Sequence, residues 1–444
     1  MQIPQNIIYI LDRLEQAGHE AYIVGGCVRD SLMGAQPHDF DITTSALPEE
    51  TMRVFSDLKV IETGLKHGTV TVLYENEPIE ITTYRIDGDY ADGRHPDEVR
   101  FTRSLAEDVA RRDFTMNGIA YSPKRGLFDL YEGAEDIRKG VIRCIGDPDK
   151  RFGEDALRIM RALRFSAVLG FDIENRTADS LRRNRALLKQ VSGERIIEEL
   201  KKLLCGGRVG DVLRSYPEVF AEIIPELAPC IGYEQHSRFH SLTLYEHLVK
   251  AAESCPRDDG LRLAMLLHDI GKPLTQSEDQ TGEWHFYEHA KKSAELASGI
   301  LERFHCSNAL RERVCEIIRY HGFVPENTDK FIRRRLSKHG TERFRDIMLA
   351  HIADDSAKQE FAKERIPEWR EIMRRAEEIA DEKPCLSSKE LAVGGKELSS
   401  LVPPSPKMGE VIRHLLEMVV DGELPNERQA LMYEAQRFLS RKEE

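Results

Sequence analysis

Asp39 and Asp41, separated by Phe40, have the plainest capacity for chemistry in the chain. Alternate side chains of a strand share a face, so this spacing predicts both carboxylates on one side and Phe40 turned into the core. Two carboxylates so placed can hold Mg²⁺, a hard cation that takes oxygen ligands and shares them with phosphates. Just upstream, residues 22–24 read as a buried strand, Gly25-Gly26 as a turn, and Val28 as the opening of a short helix. Glycine lets the backbone approach a phosphate closely, the first amides of a helix attract an anion, and Arg29 adds a forked cation. Glu80 stands alone among apolar residues in 78–84, where an unpaired carboxylate is costly to bury. Beside Asp39 and Asp41 it would complete a three-carboxylate site and accept a proton from an attacking hydroxyl. Each feature also has a plainer reading: a solvated strand face, an ordinary turn, an exposed glutamate.

Further along, Arg111-Arg112 open the helical stretch RRDFTMN, where arginine and backbone donors can meet a polyphosphate. In RFGEDALRIMRALRF (151–165), Asp155 and Arg158 are i,i+3 neighbours on a helix. Side by side, an acceptor and a forked donor can hydrogen-bond the Watson–Crick edge of a base; the plainer reading is an intrahelical ion pair. Arg161 and Arg164 continue the cationic series. A second group lies in the C-terminal half: His247, the adjacent His268-Asp269, and Asp354. Histidines and carboxylates can share one divalent metal, and His289 and His321 can extend such a site to a second.

The elements that must position these groups fall into an α+β chain. At 444 residues it exceeds one core, so two to four domains are expected. Strands are predicted at 21–24, 39–43, 69–74, 79–84 and 99–102, a mixed sheet with helices on it. The polar, glycine-rich 86–98 reads as a mobile loop of the kind that closes over a substrate. Beyond 151 the periodicity is helical. The division is a head at 1–145, a helical neck at 146–235, a histidine-rich helical domain at 236–360 and a charged helical tail at 361–444, the tail interrupted by the stiff Pro403-Pro404-Ser405-Pro406. The net charge of −13 argues against nucleic acid as a partner, but binding needs only a local basic surface, which Arg111-Arg112 and the Arg158/Arg161/Arg164 series can supply. Eight scattered cysteines without C-x-x-C, no apolar run of membrane-spanning length and no secretory leader pattern predict a cytoplasmic protein with no membrane partner. No G-x-x-x-x-G-K-[ST] is present, which disfavours a P-loop NTPase.

Five segments together resemble the class II tRNA nucleotidyltransferase and bacterial poly(A) polymerase family: GGCVRD (25–30), DFD (39–41), RRDFTMNGIAY (111–121), EDALRIMRALRF (154–165) and ERIIEELKKLL (194–204). They keep the family's order and spacing over about the first 205 residues. The resemblance implies a nucleotidyltransferase head followed by an all-helical neck, with Mg²⁺ on Asp39 and Asp41 and Glu80 as third carboxylate. It implies nucleotide contacts from Gly26, Arg29, Arg112, Asp155, Arg158, Arg161 and Arg164, with Asp155 and Arg158 as the protein template that selects CTP and then ATP for addition to tRNA. The C-terminal half resembles the HD phosphohydrolase superfamily, whose metal ligands map onto His247, His268, Asp269 and Asp354; Ala353-Asp354-Asp355-Ser356-Ala357 matches its A-D-x-x-A pattern. The tail resembles that of HD-bearing tRNA nucleotidyltransferases, except that Pro403-Pro404-Ser405-Pro406 replaces a glycine-rich turn. CCA addition is the expected activity, with A-only or CC-only addition as alternatives; a loop at 86–98 favours full CCA or A addition. A poly(A) polymerase is disfavoured by the lack of a basic signature after the neck. An HD phosphohydrolase with a merely RNA- or nucleotide-binding N-terminal half is disfavoured by the intact D-x-D.

Overall fold

Short apolar runs build the N-terminal sheet, buried throughout at 21–24 and alternately at 69–72 and 79–83. Its strands, in the computed structural model, are β1 (Ala21–Val24), β2 (Asp41–Thr44), β3 (Lys59–Gly64), β4 (Thr69–Tyr74) and β5 (Glu77–Thr83), then a separate pair β6 (Arg85–Asp87) and β7 (Val99–Phe101), then β8 (Ala120–Ser122) and β9 (Gly126–Phe128). The structure describes residues 2–37, 39–87, 99–237, 239–280, 282 and 284–441; most of the loop expected at 86–98 lies outside them. The sheet order is β3-β4-β5-β2-β1-β8-β9, with β2 and β5 parallel and the other neighbours antiparallel. Tyr22 and Val24 of β1 pack with Leu105 and Val109 of the helix Leu105–Ala110. In β5, Ile79, Ile81 and Thr83 are buried while Glu80 between them faces solvent.

Two sequence expectations change here. β1 stops at Val24 because Gly25 turns away with φ 83°, so β2 has no partner on that side before Asp41, which pairs with Val24. Asp39 and Phe40 therefore precede the strand, and Phe40 is half-buried in a cleft wall instead of entering the core. The sheet also gains β3, β8 and β9, whose short or polar sequences carry little alternation of their own.

The chain divides into two units, Met1–Pro225 and Glu226–Glu444. In the first, the helices Leu157–Leu169 and Gly193–Leu204 pack together, and Leu163 and Leu200 are among the residues they bury. The second unit is built from helices, many with side-chain N-caps: Thr243 for Leu244–Ser254, Asp258 for Asp259–Leu267, Ser307 for Asn308–Tyr320 and Thr328 for Asp329–His339. A hairpin of Gln276–Glu278 and Trp284–Phe286 interrupts them. The helix Ile366–Asp381, which the sequence division assigns to the tail, packs through Trp369, Ile372 and Ile379 on Ile332 and Phe344, whereas a separate tail core gathers Leu391, Leu415 and Leu431. Pro403-Pro404-Ser405-Pro406 forms a turn whose last proline begins the helix Pro406–Val420. Among the described residues, no helix is long and apolar enough to cross a membrane.

Candidate functional site

Strand register assembles the first site. Val24 opposes Asp41, and Ile42 opposes Ile81 in the parallel pair, so Asp41 and Glu80 stand one step before that match on neighbouring strands. The glycine turn follows the end of β1, Asp41 opens β2 and Glu80 lies at the middle of β5, so the three sit side by side across adjacent strands. Asp39, Asp41 and Glu80 line one cleft of about 950 Å³. Asp41 is exposed, yet the surrounding protein pushes its carboxyl up from the usual range; Arg112 opposes this shift and Asp39 adds to it.

Arg112 also lies over the turn: a Cβ added to Gly25 would sit 3.4 Å from its Nη1, and one added to Gly26 would sit 3.7 Å from Nη2 of Arg29. The two glycines therefore leave their backbone open beneath two guanidinium groups. Asp108, which the sequence reading passed over, anchors this arrangement. Its buried carboxylate accepts from Arg111 Nε at 3.0 Å and Arg112 Nη2 at 3.5 Å. Burial pushes Asp108 up, but the two arginines outweigh it and hold the group below its usual range. The signal was present: D-x-x-R-R sets acid and cations at i,i+3 and i,i+4 on a helix.

Asp155 and Arg158 are arranged differently from the expectation. The helix Pro148–Glu154 ends at Asp155, which is extended (φ −145°, ψ 103°), before Leu157–Leu169 begins. Asp155 and Arg158 are consequently not intrahelical partners. Asp155 caps Leu157 N at 3.1 Å and pairs with Arg195 at 2.9 Å. The buried Arg158 donates to the carbonyl oxygens of Arg151 (3.0 Å) and Arg111 (3.1 Å) and to Glu154 (2.7 Å). The Arg111 contact joins the helix Leu157–Leu169 to the segment that carries Arg112. Arg161 is held by Asp113 at 2.7 Å and Arg164 by Glu199 at 2.6 Å. Arg29 donates to Asn117 Oδ1 at 2.8 Å, and Asn117 in turn donates to Asp113. Asp113, Asn117, Arg195 and Glu199 lie within the segments quoted above, but only the fold reveals which arginine each one holds.

The second unit gathers its own cluster. His247 Nε2 lies 3.1 Å from both His268 Nε2 and Asp354 Oδ1, while Asp269 approaches His268, His289 and His321 at 3.3 Å each. The Nδ1 atoms of His247, His268, His289 and His321 face the carbonyl oxygens of Ala357, Met265, Phe286 and Ile318. A carbonyl only accepts, so each Nδ1 carries the proton and Nε2 is presented to the centre. Asp269 Oδ1 and Asp354 Oδ1 are buried without a hydrogen-bond partner, the condition a bound cation would relieve. Two sets of ligand atoms, His247/His268/Asp354 and His268/Asp269/His321, are spaced to hold metal ions. Burial pushes His268 down, but Asp269 and Asp354 more than offset it and raise it to about 9. Burial lowers His289 to about 4. Lys272 (2.7 Å from Asp269) and Lys358 (2.6 Å from Asp354) line the same cavity; the sequence reading named neither.

Three stretches match family models: the poly A polymerase head domain over 21–143, the probable RNA and SrmB-binding site of polymerase A over 170–231, and the HD domain over 239–380. A CCA-adding enzyme of Ligilactobacillus salivarius is 32% identical over 98% of this chain and 96% of its own length. One from Lactobacillus helveticus is 47% identical over 220 residues, 49% of this chain and 55% of that relative. Among solved structures, a Bacillus stearothermophilus CCA-adding enzyme in complex with CTP is similar over 100% of both chains, with TM-score 0.78 and 31% identity. A Thermotoga maritima CCA-adding enzyme complexed with tRNA shares the fold at TM-score 0.57 and 19% identity, over 98% of this chain and 96% of that one.

Proposed function

The chain belongs to the CCA-adding enzyme family, and we propose that it adds CCA to the 3′ end of tRNA from CTP and ATP. The reading rests on one observation: the glycine turn with Arg112 over it, Asp41 and Glu80 lie side by side across three adjacent strands. Membership of the family brings divalent-metal use with it, and Mg²⁺ is the cation assigned to the head. The carboxylate oxygens of Asp39 and Asp41, open to a cleft that Glu80 also lines, suit a hard cation that keeps some waters and takes phosphate oxygens. When bound, such a cation stabilises the charge on the attacking and leaving oxygens.

The chain's own groups bind and orient. The Gly25-Gly26 backbone and Gly26 in particular receive the triphosphate, with Arg29 and Arg112 above them and Arg161 and Arg164 from the neck. Asp155 and Arg158, held by separate partners, read the base edge. The tRNA 3′-hydroxyl then attacks the α-phosphorus: a P–O bond to the primer forms, the bond to pyrophosphate breaks, and Glu80 accepts the hydroxyl proton. The domain division at 145, 235 and 360 belongs to this reading, with the helix Ile366–Asp381 counted with the histidine-rich domain on which it packs, as does a cytoplasmic setting, which eight cysteines held as thiols support.

The test supplies CTP and ATP singly and together to tRNA ending at the discriminator base and to tRNA ending in CC. CTP incorporation on the first and ATP on the second are expected. Incorporation on one substrate alone marks an A- or CC-adding specialist, and none on either overturns the reading.

A second activity has its own support, the unpartnered Asp269 and Asp354 oxygens facing four imidazole Nε2 atoms. These nitrogen and oxygen donors fit a divalent transition metal. His247, His268, Asp269 and Asp354 would hold it, with His289 and His321 extending the site, for hydrolysis of a phosphoester.

A further inference from the structure

We propose that Phe165 is a positioning residue for nucleotide binding, its ring the common support on which three arginines are set. The guanidinium carbons of Arg29, Arg161 and Arg164 lie 5.1, 5.5 and 3.9 Å from its ring centroid. Three cations about one ring repel each other, and an apolar side chain would do nothing to oppose that. The negative face of an aromatic ring does oppose it, and Asp113 and Glu199 hold Arg161 and Arg164 from their other sides.

The ring is itself fixed. Phe165 is only 5% exposed and meets Phe114 edge-on at 5.9 Å and 86°. It projects from the neck helix Leu157–Leu169, whereas Arg29 belongs to the helix Gly26–Leu32 that follows the glycine turn. The ring is therefore where the phosphate cradle and the base-selecting helix share a contact. Holding the three guanidinium groups in place before a triphosphate arrives spares the ligand the cost of ordering them. This rests on the reading that these arginines bind the nucleotide. The plain alternative is a core phenylalanine valued for its volume alone.

The two differ in what they require of the ring, its quadrupole or its size. Phenylalanines carrying one, two and three ring fluorines at position 165 keep the shape while draining the negative face. For each, KM and kcat for CTP and ATP, equilibrium CTP binding and the thermal midpoint are measured. KM and the CTP dissociation constant are expected to rise stepwise, roughly fivefold by the third fluorine, with kcat and midpoint unchanged. Phe165→Leu should show the same weakening and Phe165→Tyr should restore binding. Flat binding across the fluorine series, or a Phe165→Leu protein that loses only thermal stability, would overturn the proposal. Should the unmodified protein bind CTP but incorporate nothing, the CCA-adding reading has failed, while the fluorine dependence of binding still decides this one.

Discussion

Asp113→Asn gives a stability prediction that can be worked from the structure. The buried Asp113 carboxylate accepts from Arg161 Nε and Nη2 at 2.8 and 2.7 Å, from Phe114 N at 2.8 Å and from Asn117 Nδ2 at 3.1 Å. Burial pushes the carboxyl up, but Arg161 and these hydrogen bonds outweigh it and hold the group at about 2, against an ordinary 3.8. At about 1.4 kcal/mol per pKa unit, that difference is worth roughly 2 kcal/mol. The folded state has the lower pKa, so the contribution is complete above the unfolded value and is lost as pH falls toward the folded one. Urea unfolding of the first unit, followed by far-UV circular dichroism, is the assay. The two tryptophans, Trp284 and Trp369, both lie in the second unit and report on it separately. At pH 7 Asp113→Asn should cost about 2 kcal/mol, and at pH 3 only about 1 kcal/mol, because there the carboxyl of the unfolded chain is already mostly protonated while the native one is still ionised. Adding Arg161→Gln to Asp113→Asn should cost little more, since the pair acts as one unit. A penalty unchanged between pH 7 and pH 3 would refute the assignment of the shift to this ion pair.

Asp41→Ala should lower nucleotide incorporation by at least about 10³-fold while leaving tRNA affinity in a filter-binding assay nearly unchanged; retained activity would remove Asp41 from the metal site. His268→Ala combined with Asp269→Ala should silence hydrolysis of phosphomonoester or 2′,3′-cyclic phosphodiester substrates and spare nucleotide addition. Loss of both activities would make the cluster a structural support. His289→Ala with His321→Ala should break the His268/Asp269/His321 set and remove the imidazole of His289 beside Asp269, reducing the divalent metal bound per chain by elemental analysis, whereas an unchanged metal content would confine the ligands to His247, His268, Asp269 and Asp354.

The candidate site residues can be picked out in one dimension because each lies in a short local pattern. Gly25-Gly26 with Arg29, the acidic pair at Asp39 and Asp41, and His268-Asp269 are adjacent or nearly so in the chain. The mixed sheet followed by helices was legible for the same reason, since hydrophobic period is a local property. Neither Asp39 and Phe40 preceding β2 nor Asp155 breaking a helix could be read this way, because strand limits and helix ends depend on which neighbour supplies hydrogen bonds. Partnership was the part only the tertiary structure decided. Arg195 holds Asp155, Glu199 holds Arg164, Arg111 lends its carbonyl to Arg158, and three arginines converge on Phe165, across separations of up to 136 residues. A charged side chain chooses among many opposite charges of similar local appearance, and only the packed chain brings one of them within reach.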